Sequence, residues 1–243
     1  MVDDTTGGGR ARDALRACRL FSDMDPASLE LVAGALRPRR FRRGETIFHA
    51  GDPGDALFIV TAGAVKITIP PDDGSEPAIL TTITPGGFFG ELSLLDGAPR
   101  SATAVALEAV GAHVLRRDAF QSLVDAEPGM RTALLAALAG EIRRLTSQLE
   151  DLHFLDLPGR LANHVLRAII ASTPDADPDG ADLVGEHRLP WPYTQSELAG
   201  MIGGSRQSVN RLLADLVAAD VVRFEGDDLV VPDAARLAAA ARR

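Results

Sequence analysis

Two stretches of the sequence hold side chains suited to phosphate-bearing partners. In FGELSLLDGAPRSATA, residues 89–104, Glu91 and Arg100 stand nine positions apart across a turn that carries Gly97. An arginine guanidinium takes a phosphate through paired N–H donors, and a carboxylate accepts from a sugar hydroxyl. Ser101, with neighbouring backbone N–H groups, can complete a phosphate cradle. A cyclic nucleotide offers a singly charged phosphate, a ribose 2'-hydroxyl and a flat base, so a compact pocket for it needs a cation, a hydroxyl acceptor and an apolar wall. The same two residues also read as a buried Glu–Arg salt bridge tying strand to turn.

The second stretch is TQSELAGMI followed by GGSRQSVNRLLADLVAA, residues 194–219. Thr194 to Glu197 has the Ser/Thr-x-x-Glu form of a capping box, so one helix starts there, and Ser205 caps a second after the Gly203-Gly204 turn. At 3.6 residues per turn, Arg206, Gln207 and Asn210 fall on one amino-terminal face with Arg211 beside them, while Val209, Leu212, Leu213 and Leu216 point inward. Arginine pairs bidentately with guanine, and glutamine or asparagine with adenine. Ser208 and the helix amino terminus can meet phosphates. A lone SRQSVNR is equally an ordinary solvent-exposed helix. The capping box, Gly-Gly turn, leucine face and following VVRFEGDDLVVP, two strands around a Gly-Asp-Asp turn, together make it a winged helix-turn-helix.

Three kinds of element must position these groups. From Phe41 to His113, short β-prone runs alternate with glycine-rich turns: ALFIV, AVKITI and AILTTI read as strands, and DPGD, PDDG and PGG as turns, the punctuation of an all-β roll. Gly51, Gly54 and Gly63 are expected at positive φ. Pro128 then opens a long helix to about Leu155, along which Leu135, Leu138, Ile142, Leu145, Leu149 and Leu152 follow steps of three and four, a coiled-coil seam suited to a homodimer. Packing on its own barrel is the other reading of that stripe. LDLPGRLA breaks and restarts the chain with Asp156 as an N-cap before Pro158, a hinge, and Arg160 to Ala171 is helical again. The polar loop STPDADPDGADLVGEH carries no evident chemistry. DAARLAAAARR reads as a short alanine-rich helix, packed on the surface or giving an accessory phosphate contact.

The resulting α+β architecture divides as tail and lead-in 1–20, β-roll domain 21–127, dimerisation helix and hinge 128–156, and winged helix-turn-helix 157–243. The 243 residues, 46% hydrophobic and 24% charged, suffice for two modest domains. A net charge of −9 argues against indiscriminate polyanion binding and leaves room for a local reading surface. No apolar run approaches the roughly 20 residues of a membrane span. Met1 to Arg12, with charges and three glycines, lacks a signal peptide's apolar stretch; it is expected to be a loose tail on a soluble, cytoplasmic chain. One cysteine, Cys18, allows neither an intrachain disulfide nor a cysteine-ligated iron–sulfur cluster, and is expected to be a buried structural thiol. His49, His113, His153, His164 and His187 show no ligand spacing, so no metal or haem is expected. Without a GxSxG elbow or an HxxD-like cluster, an enzyme is not expected.

Residues 41–104 resemble the cyclic-nucleotide-binding domain, and the chain from about Phe21 resembles bacterial transcription regulators of the CRP/FNR superfamily. FGELSLLDGAPRSA is similar to the phosphate-binding cassette, FLDLPGRLA to the interdomain hinge, and GGSRQSVNR to the recognition helix, in family order. The resemblance implies Gly90, Glu91, Arg100 and Ser101 as ribose and phosphate contacts, the serine being associated with cyclic AMP. Leu80, Ile83 and Leu92 would form apolar walls. In cyclic-AMP-responsive members a Thr-Ser pair on the long helix contacts the adenine, one from each subunit. Here the pair is Thr146-Ser147, whereas alignment back from Phe154 without a gap puts Leu145 and Thr146 there. Where many members have Arg-Glu after the capping serine this chain has Arg206-Gln207, which implies relaxed or shifted specificity at that base pair. The implied effector is cyclic AMP, another cyclic nucleotide, or none if the pocket no longer responds. The implied partners are a twofold-symmetric DNA site, RNA polymerase and a second copy of the chain. The alternative is a constitutive DNA-binding regulator or DNA-bending scaffold, its pocket vestigial or sensing another small molecule.

Overall fold

Leu57, Ile59 and Leu115 on one side, and Phe58, Val60 and Phe89 on the other, show how the β region is built: its central sheet is buried on both faces. The computed structural model describes residues 5–70, 77–173, 177 and 183–241. Its first compact unit, Met1–Arg143, opens with α1 (Thr5–Ala17), α2 (Pro26–Ala35), β1 (Arg37–Phe41), β2 (Thr46–Phe48), β3 (Ala56–Ala62), β4 (Val65–Ile69), β5 (Ala78–Ile83) and β6 (Phe88–Phe89). α3 (Leu92–Asp96), β7 (Thr103–Ala106), β8 (Val110–Arg116) and α4 (Arg117–Ala126) follow, then the long α5 (Pro128–Phe154). Two antiparallel four-stranded sheets, ordered β1-β8-β3-β6 and β2-β7-β4-β5, close around Phe41, Val60, Val65, Phe89, Ala104 and Val110. Phe58 and Phe89 stack at 5.1 Å between ring centroids, with Phe48 at 5.8 Å from each. The three strands read from the sequence are β3, β4 and β5; the PDDG turn lies outside the described residues.

The expectation of a loose tail over Met1 to Arg12 is corrected from Thr5 onward, since Thr5–Ala17 is helical; residues 1–4 lie outside the described residues. Glycine costs a helix about 1 kcal/mol relative to alanine. Here Ala11 and Leu15, four residues apart, together with Cys18 and Phe21, are buried in one cluster with Leu29, Val32, Phe120, Met130 and Leu134, and that burial overrides the local penalty. The lead-in is therefore part of the first unit's core. Cys18 is fully buried, and burial pushes its thiol up to about 11. Gly54 is also corrected. Gly51 and Gly63 have φ of 87° and 74°, but Gly54 is not at positive φ. A Cβ there would lie 2.3 Å from the Ser93 Cβ, so the glycine is required for close approach.

The second unit, Arg144–Arg243, begins within α5, inside the segment 128–156 read from the sequence as dimerisation helix and hinge. It contains α6 (Leu157–Ser172), β9 (His187–Pro190), α7 (Gln195–Ile202), α8 (Arg206–Ala218), β10 (Arg223–Glu225), β11 (Asp228–Val231) and α9 (Ala234–Ala241). Asp156 caps α6, its carboxylate accepting from the Gly159 N–H at 2.8 Å. β9 was not legible in the sequence; it pairs with β11 to make a three-stranded wing sheet, β10-β11-β9. Leu161, Val165, Ile169, Leu198, Val209, Leu229 and Leu237 share one core. α9 is thereby anchored through its fully buried Leu237.

Candidate functional site

The phosphate-facing turn is assembled largely by main chain. β6 is followed by Gly90, whose φ of 87° swings the chain into Glu91 and α3, and Gly97 at φ 73° ends that helix in the left-handed conformation. Arg100 returns only 5% exposed. Its Nη1 donates to the Gly90 carbonyl at 2.6 Å and its Nη2 to the Ala56 carbonyl at 2.8 Å, and its guanidinium carbon lies 4.3 Å from the Phe48 ring centroid. The Arg100 backbone is pinned as well, its N–H donating to Asp52 and its carbonyl accepting from Gly51. Among the described residues no ion pair joins Arg100 to Glu91, so the plain salt-bridge reading does not hold. Burial lowers the guanidinium's pKa, opposed by Asp55 and Glu91. Its Nε is buried without a hydrogen-bond partner, the state of a donor that an entering oxyanion would satisfy.

Glu91 is half-buried; desolvation raises its carboxyl above the ordinary range, its own N–H pulls it back, and repulsion from Glu141 raises it further. Ser101 and Leu92 are exposed, Leu80 and Ile83 half-buried, with Ile83 packed against the inter-sheet core. Sequence reasoning missed the frame of this turn. Gly54 touches Ser93 and Arg100, and Arg117 donates to the carbonyls of both Gly54 and Ser93, tying loop to helix. No local pattern announces contacts that span tens of residues.

On α5 the apolar stripe divides by environment. Leu138 packs against the first unit's core, while Leu135, Ile142, Leu149 and Leu152 are 68%, 64%, 57% and 51% exposed in the single chain. Leu145 and Thr146 are also exposed. Ser147 accepts from Arg167 Nη2 at 2.8 Å. The same guanidinium lies 2.8 Å from Asp151 Oδ2, whose Oδ1 accepts from Asn163 at 2.9 Å, so three polar contacts bind the end of α5 to α6.

The second cluster needs little beyond its own two helices. Thr194 and Glu197 exchange both capping-box bonds, Gly203 ends α7 at φ 68°, and Ser205 accepts from the Ser208 N–H at 3.1 Å. Val209 and Leu213 are buried, Leu212 and Leu216 half-buried against the same core. Arg206, Gln207, Asn210 and Arg211 are exposed on α8. The wing beside it ties Arg188 to Glu225 and Asp228, and Arg223 to Glu186 and Glu225. Among the described residues, no group of three or more His, Cys, Asp or Glu side chains is placed to hold a metal, and no helix is long and apolar enough to cross a membrane.

Comparison with known proteins finds one domain family over the region of each cluster. Residues 38–127 match the cyclic nucleotide-binding domain family, and residues 159–240 the Crp-like helix-turn-helix domain. The chain is 36% identical over 230 residues to the CRP-like cAMP-activated global transcriptional regulator of Mycobacterium tuberculosis, covering 95% of this chain and 99% of that protein. It is 30% identical over 223 residues to the cyclic AMP receptor protein of Thermus thermophilus, covering 92% and 96%. The structure of FixK2 from Bradyrhizobium japonicum has the same fold, with a TM-score of 0.71 at 21% identity over 83% of this chain and 95% of that one. The chain belongs to the CRP/FNR superfamily: it is a DNA-binding transcription regulator with a cyclic nucleotide-binding domain, and not an enzyme.

Proposed function

We propose that this chain is a cytoplasmic homodimeric regulator that binds cyclic AMP in its β-roll, residues 21–127, and answers by changing its affinity for a twofold-symmetric DNA site. Arg100 and Ser101 take the phosphate; Gly90 and Glu91 take the ribose 2'-hydroxyl; Leu145, Thr146 and Ser147 on the dimerisation helix, residues 128–156, supply the residues facing the base. The observation that carries this reading is the buried Arg100 whose Nε has no partner beside a half-buried carboxylate. A nucleotide phosphate supplies the missing acceptor, at a charge-assisted hydrogen bond's strength. The exposed Leu135, Ile142, Leu149 and Leu152 support pairing of two α5 helices, since such a stripe left in water is costly. Residues 157–243 of each copy then present Thr194, Ser205, Arg206, Gln207, Ser208, Asn210 and Arg211 to half-sites about one helical turn apart. RNA polymerase is the further partner that regulated transcription requires.

The ligand acts by binding one arrangement of the dimer more tightly than the other, and that differential affinity bounds the change in DNA affinity. A second reading rests on the same arginine. Its Nη1 and Nη2 are already held by the Gly90 and Ala56 carbonyls, so the turn is stable without a ligand and a constitutive regulator could retain it. Thermal stability across a cyclic nucleotide panel, with DNA affinity measured with and without each, separates the two. Cyclic AMP at 100 times its Kd is expected to stabilise the native state by about 2.7 kcal/mol. Arg100→Ala is expected to lose both nucleotide binding by calorimetry and the nucleotide-dependent gain in DNA affinity. Unchanged nucleotide affinity in Arg100→Ala refutes the pocket assignment, and equal DNA affinities with and without nucleotide favour the constitutive reading.

A further inference from the structure

Gln195, the first residue of α7, donates from Nε2 to the Oδ1 of Asn210 on α8 at 2.9 Å. We propose that Gln195 is a positioning residue for base reading by Asn210, so that the helix-turn-helix selects adenine through a two-residue unit drawn from both helices. The inference rests on the reading of α8 as the recognition helix.

An asparagine reads adenine with both ends of its amide, Oδ1 accepting from N6 and Nδ2 donating to N7. A free exposed amide can turn over, and in its flipped orientation donor and acceptor meet the wrong atoms. A carbonyl oxygen has two lone pairs. The Gln195 bond occupies one lone pair of Asn210 Oδ1 and fixes the amide's orientation, leaving the other lone pair and both Nδ2 hydrogens for a base. Asn210 stands one helical turn after Arg206 and is exposed beside it, so the fixed amide lies on the face that carries the reading side chains.

The placement of Gln195 is itself determined. Thr194 accepts from the Glu197 N–H at 3.2 Å, and Glu197 accepts from the Thr194 N–H at 2.9 Å, which sets where α7 begins and hence where its first side chain leaves the helix. Gln195 and Asn210 line one open groove of about 340 Å³ together with Trp191, Tyr193, Leu198 and Leu213. The apolar residues of that wall offer no competing hydrogen-bond partner from their side chains, apart from the tips of Trp191 and Tyr193.

Binding-site selection from a random duplex library, in the presence of cyclic AMP, tests this with the full chain and its Gln195→Ala, Gln195→Glu and Asn210→Ala variants. The parent protein is expected to enrich adenine at one position in each half-site by about tenfold, and Asn210→Ala to lose that preference alone. Gln195→Ala releases the amide and is expected to reduce the preference several-fold while affinity for the other positions holds. Gln195→Glu is the sharper arm. A carboxylate can only accept, so the Asn210 amide turns over to donate Nδ2 to it, donor and acceptor exchange places, and adenine preference disappears. An acidic first-turn residue favours the helix dipole, so α7 is not weakened in that variant. A merely structural role for Gln195 would lower affinity for all sequences alike and leave the base ratio unmoved. Undiminished adenine preference in Gln195→Glu overturns the proposal, as does a parent selection that enriches other positions and never adenine at one lost in Asn210→Ala. A parent protein that enriches no sequence at all overturns the recognition-helix reading itself.

Discussion

Arg100 and Arg206, both proposed to meet phosphate-bearing partners, are held in opposite ways. Arg100 is 5% exposed, clamped by two carbonyls, stacked on Phe48 and framed by Gly54, Ser93 and Arg117 from three other segments. Arg206 is exposed at the start of a helix whose cap lies one residue before it. The turn around Arg100 is thus a product of tertiary structure, preorganised at the expense of exposing almost nothing. The helix-turn-helix is a product of local structure, with Arg206, Gln207, Asn210 and Arg211 exposed on a helix set by its own cap. Substitutions in the first should therefore change stability and binding together, and those in the second should separate them.

The largest effect tests that contrast at two glycines. In Gly54→Ala the new methyl would sit 2.3 Å from the Ser93 Cβ, an atom fixed to the backbone of α3, and 3.2 Å from the Arg100 guanidinium carbon. Overpacking against groups that cannot rotate away is expected to cost about 3 kcal/mol and to weaken nucleotide binding, read by urea unfolding and calorimetry. At Gly204, in the turn of the reading head, a methyl would meet the Leu157 Cδ1 at 2.8 Å, the end of a flexible side chain. Gly204→Ala is expected to cost about 1 kcal/mol. Equal costs at the two sites would break the comparison.

A smaller effect distinguishes the regions by pH. His164 sits edge-on to Trp191 and Tyr193, ring centroids 6.3 and 6.2 Å away, and burial, with the Arg167 charge adding, pushes its pKa down to about 4. Unfolded, it titrates near 6.5, so between those values the unfolded chain binds the extra proton and stability rises with pH. Taking the pH from 7 to 5 is expected to remove about 2 kcal/mol from the unit that holds His164, followed by fluorescence of Trp191, the one tryptophan in the chain. His164→Asn should abolish that dependence. In the turn around Arg100 the sign reverses for Glu91: its raised carboxyl makes a neutral-pH cost that is relieved as pH falls.

The same contrast explains what could be read from the chain. The caps at Asp156, Thr194 and Ser205, the buried leucine face of α8 and the strands ALFIV, AVKITI and AILTTI follow from spacings of two to four residues, and each is found where those spacings place it. The pairing of Arg100 with Ala56 and Gly90, the approach of Gly54 to Ser93 and the burial of Leu15 and Cys18 under α4 and α5 join residues far apart in sequence. Local propensity made α1 a tail because glycine disfavours helix, and only the core it joins reverses that reading. Gly54, expected at positive φ, instead serves a close approach to Ser93, because a turn and a close approach demand the same residue. Residue chemistry paired Arg100 with Glu91, and resemblance to a family, with nothing in their spacing, chose a pocket over a salt bridge.

The smallest effect concerns Ser205, whose hydroxyl accepts from the Ser208 N–H at 3.1 Å and lies 2.9 Å from the Ser208 hydroxyl. Ser205→Ala removes the cap at a cost of about 1 kcal/mol, whereas Ser205→Gly, with φ and ψ still compatible with an N-cap, costs only a few tenths. The loss falls on the first turn of α8, which carries Arg206, Gln207 and Ser208, rather than on the core beneath Val209 and Leu213. DNA binding must then reorder that turn, so affinity in Ser205→Ala is expected to fall roughly fivefold, with nucleotide affinity unchanged. Ser205→Gly is the control, since it removes the same side chain and any direct phosphate contact made by it. If both variants lose DNA affinity equally, the hydroxyl acts on the phosphate; if only the alanine variant does, it acts on the helix, and the reading head is governed by local structure as its comparison with the turn around Arg100 requires.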